Sequence, residues 1–208
     1  KKNTFVANVY YQYSSLDGNI AGVSADRSDK IKKSYHNVLY FAMLNYMFNK
    51  ENSIRLFFRS YTDNPSVTQL QNIFDVSTPQ YLSIGNKNLN PSFTHRINFH
   101  YINSNVEKGR TFMWMFMFNK SKNSIASSVY TGNSITNDMI PELAGSTRPI
   151  QYSTYENVKD GTMNIGTNLS FGIPLNFMKC NFNISGGVHY SQSPSLVNGK
   201  VNTASNIG

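Results

Sequence analysis

The sequence predicts an all-β fold: an antiparallel up-and-down meander of about seven long strands that forms part of a transmembrane β-barrel. Three observations predict it: segments in which apolar and polar residues alternate, long and short connections in regular succession, and a composition poor in charge and rich in aromatic residues.

The clearest alternating segment is Thr162 to Ile173. Met163, Ile165, Leu169, Phe171 and Ile173 fall on one face, and Asn164, Gly166, Asn168, Ser170 and Gly172 on the other. Successive strand side chains point to opposite faces, so this strand has one apolar and one polar side. Lys179 to Tyr190 repeats the pattern, with Cys180, Phe182, Ile184, Val188 and Tyr190 opposite Lys179, Asn181, Asn183, Ser185 and His189. About five residues, Pro174 to Met178, separate the two, a hairpin length.

Towards the N-terminus, Arg110 to Lys120 aligns Phe112, Trp114, Phe116 and Phe118, and Ser92 to Asn103 aligns Phe93, Ile97, Phe99 and Tyr101. Ser104 to Gly109 joins them. Ser53 to Tyr61 sets Ile54, Leu56 and Phe58 against Arg55, Phe57 and Arg59, and follows Tyr35 to Phe48 through the turn Asn49 to Asn52. Thr4 to Tyr13 is the first strand, with Phe5, Ala7, Val9, Tyr11 and Tyr13 aligned. Most of these segments have roughly the 9 to 11 residues that a tilted strand needs to cross a bilayer.

The remaining connections, Ser14 to Lys33, Thr62 to Pro91 and Thr131 to Glu156, are long and rich in Asn, Ser, Asp and Gly. Long and short connections therefore alternate. A barrel places all short turns on one side of the membrane, whereas loop lengths in a soluble sandwich follow no such rule.

Charged residues make up 14% of the chain, against about 25% in soluble domains. Aromatic residues make up 13%, and Tyr13, Tyr101, Tyr130 and Tyr190 fall near the ends of the alternating segments, where a wall meets the membrane interface. No apolar run approaches the roughly 18 residues of a membrane helix. The chain enters a strand pattern directly after Lys1-Lys2, without the apolar core of a signal peptide. It ends at Asn206-Ile207-Gly208 in what reads as another long loop. With an odd strand number, residues 1–208 are expected to be one partial barrel domain, truncated at both ends and without a plug domain.

Cys180 is the single cysteine, so no internal disulfide forms; on the apolar face it has an inert packing role. The net charge of +8 raises nucleic acid as a partner. Its dense part, Arg27, Lys30, Lys32 and Lys33, reads as a solvated loop, and no nucleic-acid partner is expected. His36, His95, His100 and His189 lack metal-site spacing, and His95 and His100 lie on opposite faces of their strand. No catalytic residues, nucleophile elbow, phosphate loop or acid pair emerge, so neither enzyme activity nor a cofactor is expected.

Arg59-Ser60-Tyr61-Thr62-Asp63-Asn64-Pro65-Ser66-Val67-Thr68-Gln69-Leu70-Gln71, followed by Gly85-Asn86-Lys87-Asn88-Leu89-Asn90-Pro91 and a strand, resembles TonB-dependent outer-membrane receptors. It is most similar to the Bacteroidetes-type outer-membrane β-barrel family, in which Pro-Ser-x-x-x-Leu leads to Gly-Asn-x-x-Leu and the next wall strand. Asn86-Lys87 and Pro91-Ser92 stand where that pattern often has Asn-Pro and an acidic residue. The resemblance implies a cell-outer-membrane receptor whose barrel surrounds an N-terminal plug, works with TonB and imports a scarce nutrient. Its partners would be outer-membrane lipid, its own plug domain, TonB and a siderophore, cofactor, glycan or peptide. It makes Thr62 to Pro91 and Thr131 to Glu156 the ligand-contact regions.

If Ile54, Leu56 and Phe58 face lipid, Arg55 and Arg59 face the lumen. If Phe93, Ile97 and Phe99 face lipid, Arg96 faces inward beside Asn98 and His100. Such a wall either attracts acidic cargo, pairs with acidic plug residues, or carries charges that satisfy one another. Leu39, Phe41, Met43 and Met47, together with Met113, Met115 and Met117, break the polar pattern of the lumen face. They suit packing against a plug, or the doubly buried strands of a soluble sandwich. A structural or adhesive barrel without transport and a soluble β-sandwich binding module are the alternative readings.

Overall fold

A computed structural model of the chain describes residues 3–20, 29–72, 78, 80–140 and 149–208. Nine strands run among these residues: β1 (Thr4–Ile20), β2 (Asp29–Met47), β3 (Asn52–Asp63), β4 (Tyr81–Ser83), β5 (Ser92–Asn105), β6 (Arg110–Thr131), β7 (Gln151–Leu175), β8 (Cys180–Val197) and β9 (Lys200–Ile207). Eight form one meander in the order β1-β2-β3-β5-β6-β7-β8-β9. Strand β4 and a four-residue helix, α1 (Val67–Leu70), lie in the connection from β3 to β5, and β4 pairs in parallel with the start of β7.

All seven expected strands are present, but most are longer than the periodicity shows. β7 has 25 residues, more than twice the roughly 9 to 11 that cross a bilayer. All of the described part of Ser14–Lys33 is strand, because β1 runs to Ile20 and β2 starts at Asp29. The expected loop Thr131–Glu156 likewise gives its last residues to β7, which starts at Gln151. These extensions carry polar residues on both faces and so leave no apolar period to read. Lys30, Lys32 and Lys33, expected in a loop, are in β2, while Arg27 lies outside the described residues. Tyr13 and Tyr190 consequently fall within strands rather than at strand ends.

The C-terminal segment is a correction. Where a long loop is expected, β8 and β9 form a hairpin with Val197 paired to Lys200. Its two central residues, Asn198 and Gly199, have φ of 52° and 73°, the left-handed pair that an Asn-Gly hairpin turn requires. A tight turn thus sits at the same end of the sheet as the long loops.

The register sorts the side chains into two faces. The face onto which the β3–β5 connection folds, here the inner face, carries Leu16 and Ile31, packed against Leu70 of α1 and Leu89. The outer face carries Phe5, Val9, Tyr11, Val38, Trp114, Leu169, Phe171, Phe182, Ile184 and Val188, all exposed. On β6 it is unbroken from Phe112 through Trp114 and Phe116 to Phe118. Exposed apolar area on this scale is unstable in water and stable against hydrocarbon. The Trp114 indole N–H donates to Thr167 Oγ1 at 3.0 Å, so the polar atom on this face is paired. Cys180 is on the outer face, exposed.

Above the apolar band the sheet changes its order. Below Lys120, β6 pairs with β5 and β7, and β7 pairs with β6 and β8. Higher up, β7 pairs with β4, and Ser128 and Val129 of β6 pair with Leu196 and Val197 of β8. The β6–β7 ribbon has therefore rolled over by half a turn, exchanging its outer neighbours. The roll occurs at a bulge between Lys120 and Lys122, next to Asn123 at φ 56°, and bulges increase local twist. Gly161 sits opposite, where an added Cβ would lie 2.2 Å from Ser124 Oγ and 2.7 Å from the Ser121 carbonyl oxygen. Ser124 Oγ accepts the Thr162 N–H at 3.2 Å, and Thr162 Oγ1 donates to Ser121 Oγ at 3.0 Å.

Gly161→Ala is expected to destabilise the fold by about 1–3 kcal/mol, because the Ser121 backbone has to move. Thermal unfolding in detergent, followed by heat-modified gel migration, reads this; an unchanged midpoint would show that the rolled ribbon does not need the close approach.

Candidate functional site

The four residues singled out from the sequence meet on the inner face of β3 and β5. Arg59 is directly opposite Arg96, and Arg55 directly opposite His100. The face alternation that put Ile54, Leu56 and Phe58 outside brings all four inside.

Two like charges directly opposite each other repel, and the neighbouring side chains act on that repulsion. The Tyr61 ring has the Arg59 and the Arg96 guanidinium carbons each 5.6 Å from its centroid, within cation–π range for both. Arg96 Nε also donates to Asn119 Oδ1 at 2.6 Å. Along β3 the next inward carboxylate is Asp63, four residues from Arg59, or about 13 Å along a strand. From Ser92 to Ser104 the inner positions of β5 contain no Asp or Glu. Arg55 and Arg59 are exposed on this face.

The neighbouring strands differ. Leu39, Phe41, Met43 and Met47 of β2 and Met113, Met115 and Met117 of β6 share the inner face with the arginines. Each basic pair thus has an apolar residue on one side and an asparagine on the other: Phe41 beside Arg59 with Asn119 beside Arg96, and Met115 beside His100 with Asn45 beside Arg55. A cavity of about 580 Å³ opens beside them, lined in part by Asn98, His100, Met115, Met117 and His189.

The residues that carry the family resemblance build the roof. Ser66 caps α1, its Oγ accepting the Gln69 N–H at 3.2 Å while Gln69 Oε1 accepts the Ser66 N–H at 2.9 Å, a reciprocal capping box. The helix points Leu70 into full burial beside Leu89. Gly85 then returns the chain over the helix end: its N–H donates to the Gln71 carbonyl at 2.8 Å, and that of Asn86 to the Gln69 carbonyl at 2.6 Å. A Cβ at Gly85 would stand 2.6 Å from both carbonyl oxygens. Asn86 Nδ2 reaches the Tyr155 carbonyl at 2.8 Å, fastening the roof to β7.

This roof and the β6–β7 connection, the two regions expected to contact ligand, enclose a second cavity of about 540 Å³. Asn72, Asn86 and Asn88 line it from one side, and Tyr130, Tyr152 and Glu156 from the other. Tyr130 donates to Glu156 Oε1 at 2.9 Å. Burial pushes both phenols above the usual tyrosine range; for Tyr130 the Glu156 carboxylate adds to the rise. Sequence reading missed Tyr152 and Glu156 as partners of Tyr130, because the β6–β7 register that juxtaposes them leaves no spacing signal. Among the described residues no group of three or more His, Cys, Asp or Glu side chains could hold a metal ion.

An uncharged aromatic band outside, arginines turned inward among polar and apolar residues, tight turns at the lower end of β2–β3, β5–β6 and β7–β8, and the long β3–β5 and β6–β7 connections at the other end define a wall of an outer-membrane β-barrel. The chain belongs to the outer membrane protein beta-barrel family, which it matches over residues 3–207. It is therefore a protein of the cell outer membrane, in contact with lipid, and the soluble-sandwich alternative falls. No curated protein matches the chain.

Leu70→Ala is expected to cost the roof about 2–5 kcal/mol of docking energy, as for other buried leucines. Hydrogen exchange at the Gly85 and Asn86 amides should accelerate while that of Phe99 and Phe116 in the wall does not. Equal protection in variant and parent would mean that Leu70 does not anchor the roof.

Proposed function

We propose that this barrel wall belongs to a TonB-dependent receptor that imports a scarce nutrient, and that its basic inner pairs act on acidic groups. The observation that carries the reading is the mixed inner face. Methionine, leucine and phenylalanine rows are poor walls for a water-filled pore and good walls for packing against a plug. Arg55, Arg59 and Arg96 among them call for anions, either on the plug or on the cargo in transit. The resemblance over Arg55 to Tyr101 points the same way.

In this reading the wall surrounds a plug supplied by the full receptor, TonB supplies the energy, and the cavity under the roof meets the nutrient first. The cargo classes are those the resemblance implies: siderophore, cofactor, glycan or peptide. A basic wall favours the anionic members of each.

Growth on single limiting nutrients tests the receptor. Deleting the intact gene and deleting TonB should abolish growth on the same nutrient; loss of growth in neither deletion would sink import and leave a structural or adhesive barrel. With the nutrient found, replacing Arg55, Arg59 and Arg96 by Gln is expected to lower uptake about tenfold, the scale of electrostatic enrichment at a charged wall. Unchanged uptake at equal surface levels would defeat the role of the basic pairs and leave import standing.

A further inference from the structure

The outer face is free of charge between Arg110 at the lower end of β6 and Lys120 near the bulge. At Lys120 it changes abruptly. Lys120 pairs with His95 of β5, and Lys122 with Phe93, so two ammonium groups and an imidazole share one patch immediately above the aromatic rows. Lys122 is exposed and Lys120 half-buried. One carboxylate, Asp160 of β7, is opposite Lys122, which leaves the patch net positive.

His95 is fixed. Its Nδ1 is hydrogen-bonded to the Tyr40 hydroxyl, its ring stacks on Tyr40 at 5.8 Å between centroids, and Phe93 meets it edge-on at 5.0 Å. Tyr40 in turn stacks on Phe58 at 5.1 Å. In the tautomer in which the tyrosine donates to Nδ1, the imidazole carries its proton on Nε2, which is then the ring's donor for a ligand. Beneath lies a shelf of Phe58, Phe116 and Phe118, while Phe93 stands beside Lys122. The same device recurs on β1 and β2, where Tyr11 holds His36 and Tyr13 packs against it at 5.0 Å.

We propose that the patch formed by His95, Lys120 and Lys122 binds the phosphate of a lipid headgroup in the outer leaflet, with the lipid's acyl chains lying on the aromatic rows below. The patch lies towards the long-connection end of the sheet, which faces outward in a barrel of this class. Charged side chains on a lipid-facing surface are tolerated at the interface and costly deeper, so these cations sit at headgroup level. Two ammonium groups and a neutral N–H donor supply charge-assisted hydrogen bonds to phosphate oxygens. A free phosphate solute would satisfy the same donors but would make no use of the apolar shelf, and it is the shelf that selects a lipid.

Native mass spectrometry on the purified protein in phosphatidylcholine nanodiscs containing phosphatidic acid tests this. The expected result is selective retention of phosphatidic acid, reduced about tenfold in Lys120→Gln/Lys122→Gln, and no displacement by millimolar glycerol 3-phosphate. Folding of each variant is read from heat-modified gel migration. If the double variant does not fold, Lys122→Gln alone, at an exposed rim position, carries the test. Equal retention of the two lipids by the parent protein, undiminished phosphatidic acid in a folded variant, or displacement by glycerol 3-phosphate would each overturn the proposal.

Discussion

Every backbone N–H and C=O inside hydrocarbon must be paired within the protein, since no water is present to take its place. The rest of this structure depends on that constraint. It makes the membrane-level stretch a continuous ladder in which each residue from Thr111 to Lys120 of β6 has a partner on β7. It also explains where the ladder breaks. The β2–β3 pairing stops at Phe41 and Arg59, and there Ser60 Oγ takes over, accepting the Tyr40 N–H at 2.9 Å. The bulge at Lys120/Lys122 lies above the last phenylalanine of the outer row, among serine, threonine and asparagine side chains. Asn123 Nδ2 donates to the Pro91 carbonyl at 3.1 Å, and Asn157 Nδ2 to the Asn123 carbonyl at 3.0 Å. The half-turn of the β6–β7 ribbon is thus confined to a level where polar side chains can replace the ladder.

That half-turn makes the roof part of the sheet. By turning β7 towards β4, the ribbon joins the β3–β5 connection to the wall through backbone hydrogen bonds as well as through Leu70 and Leu89. By turning β6 towards β8, it gives the β8–β9 hairpin a support, with the Asn198 N–H donating to the Val129 carbonyl at 2.8 Å and Asn198 Oδ1 accepting the Thr131 N–H at 2.8 Å. Without the roll, the upper halves of these strands would be isolated ribbons in water, which are marginally stable.

What was legible in the sequence follows the same division between levels. Where lipid lies on one side of the sheet, selection for apolar residues at every second position writes a clear period, and the membrane-level stretches Thr162–Ile173 of β7 and Arg110–Lys120 of β6 are readable, although both strands run well beyond them. The inward direction of Arg55, Arg59, Arg96 and His100 follows from that period alone. Above the membrane nothing forces alternation, so Gln151–Glu156 reads as loop, and Ser121–Tyr130 and Asn157–Gly161 show no strand period, although all three are strand. The Asn198-Gly199 turn carries a readable local signal, but its flanks, Ser195–Val197 and Lys200–Asn202, are too mixed to register as strands. The meeting of Asn86 with the paired Tyr130 and Tyr152 depends on the ribbon's roll, a property of packing among distant segments, and no local pattern encodes it.

The inner face sets two physical demands that conflict in isolation. Met113, Met115, Met117 and Phe41 favour a dry neighbour, since each apolar side chain kept in water forfeits roughly 1.5–3 kcal/mol. Arg59 and Arg96 favour water: at about 5 Å, two positive charges repel by about 0.8 kcal/mol in bulk solvent but by several-fold more at the lower effective dielectric of a protein interior. The Tyr61 ring and Asn119 offset part of that repulsion and cannot neutralise it. Filling the lumen with apolar protein would therefore raise the cost of the arginine pair, while leaving it wet would waste the methionine rows. An interior partner that is largely apolar and carries acidic groups at the level of Arg55, Arg59 and Arg96, as in the receptor proposed above, would meet both demands together, because the register of β2, β3, β5 and β6 sets the arginines and the methionines side by side on one face.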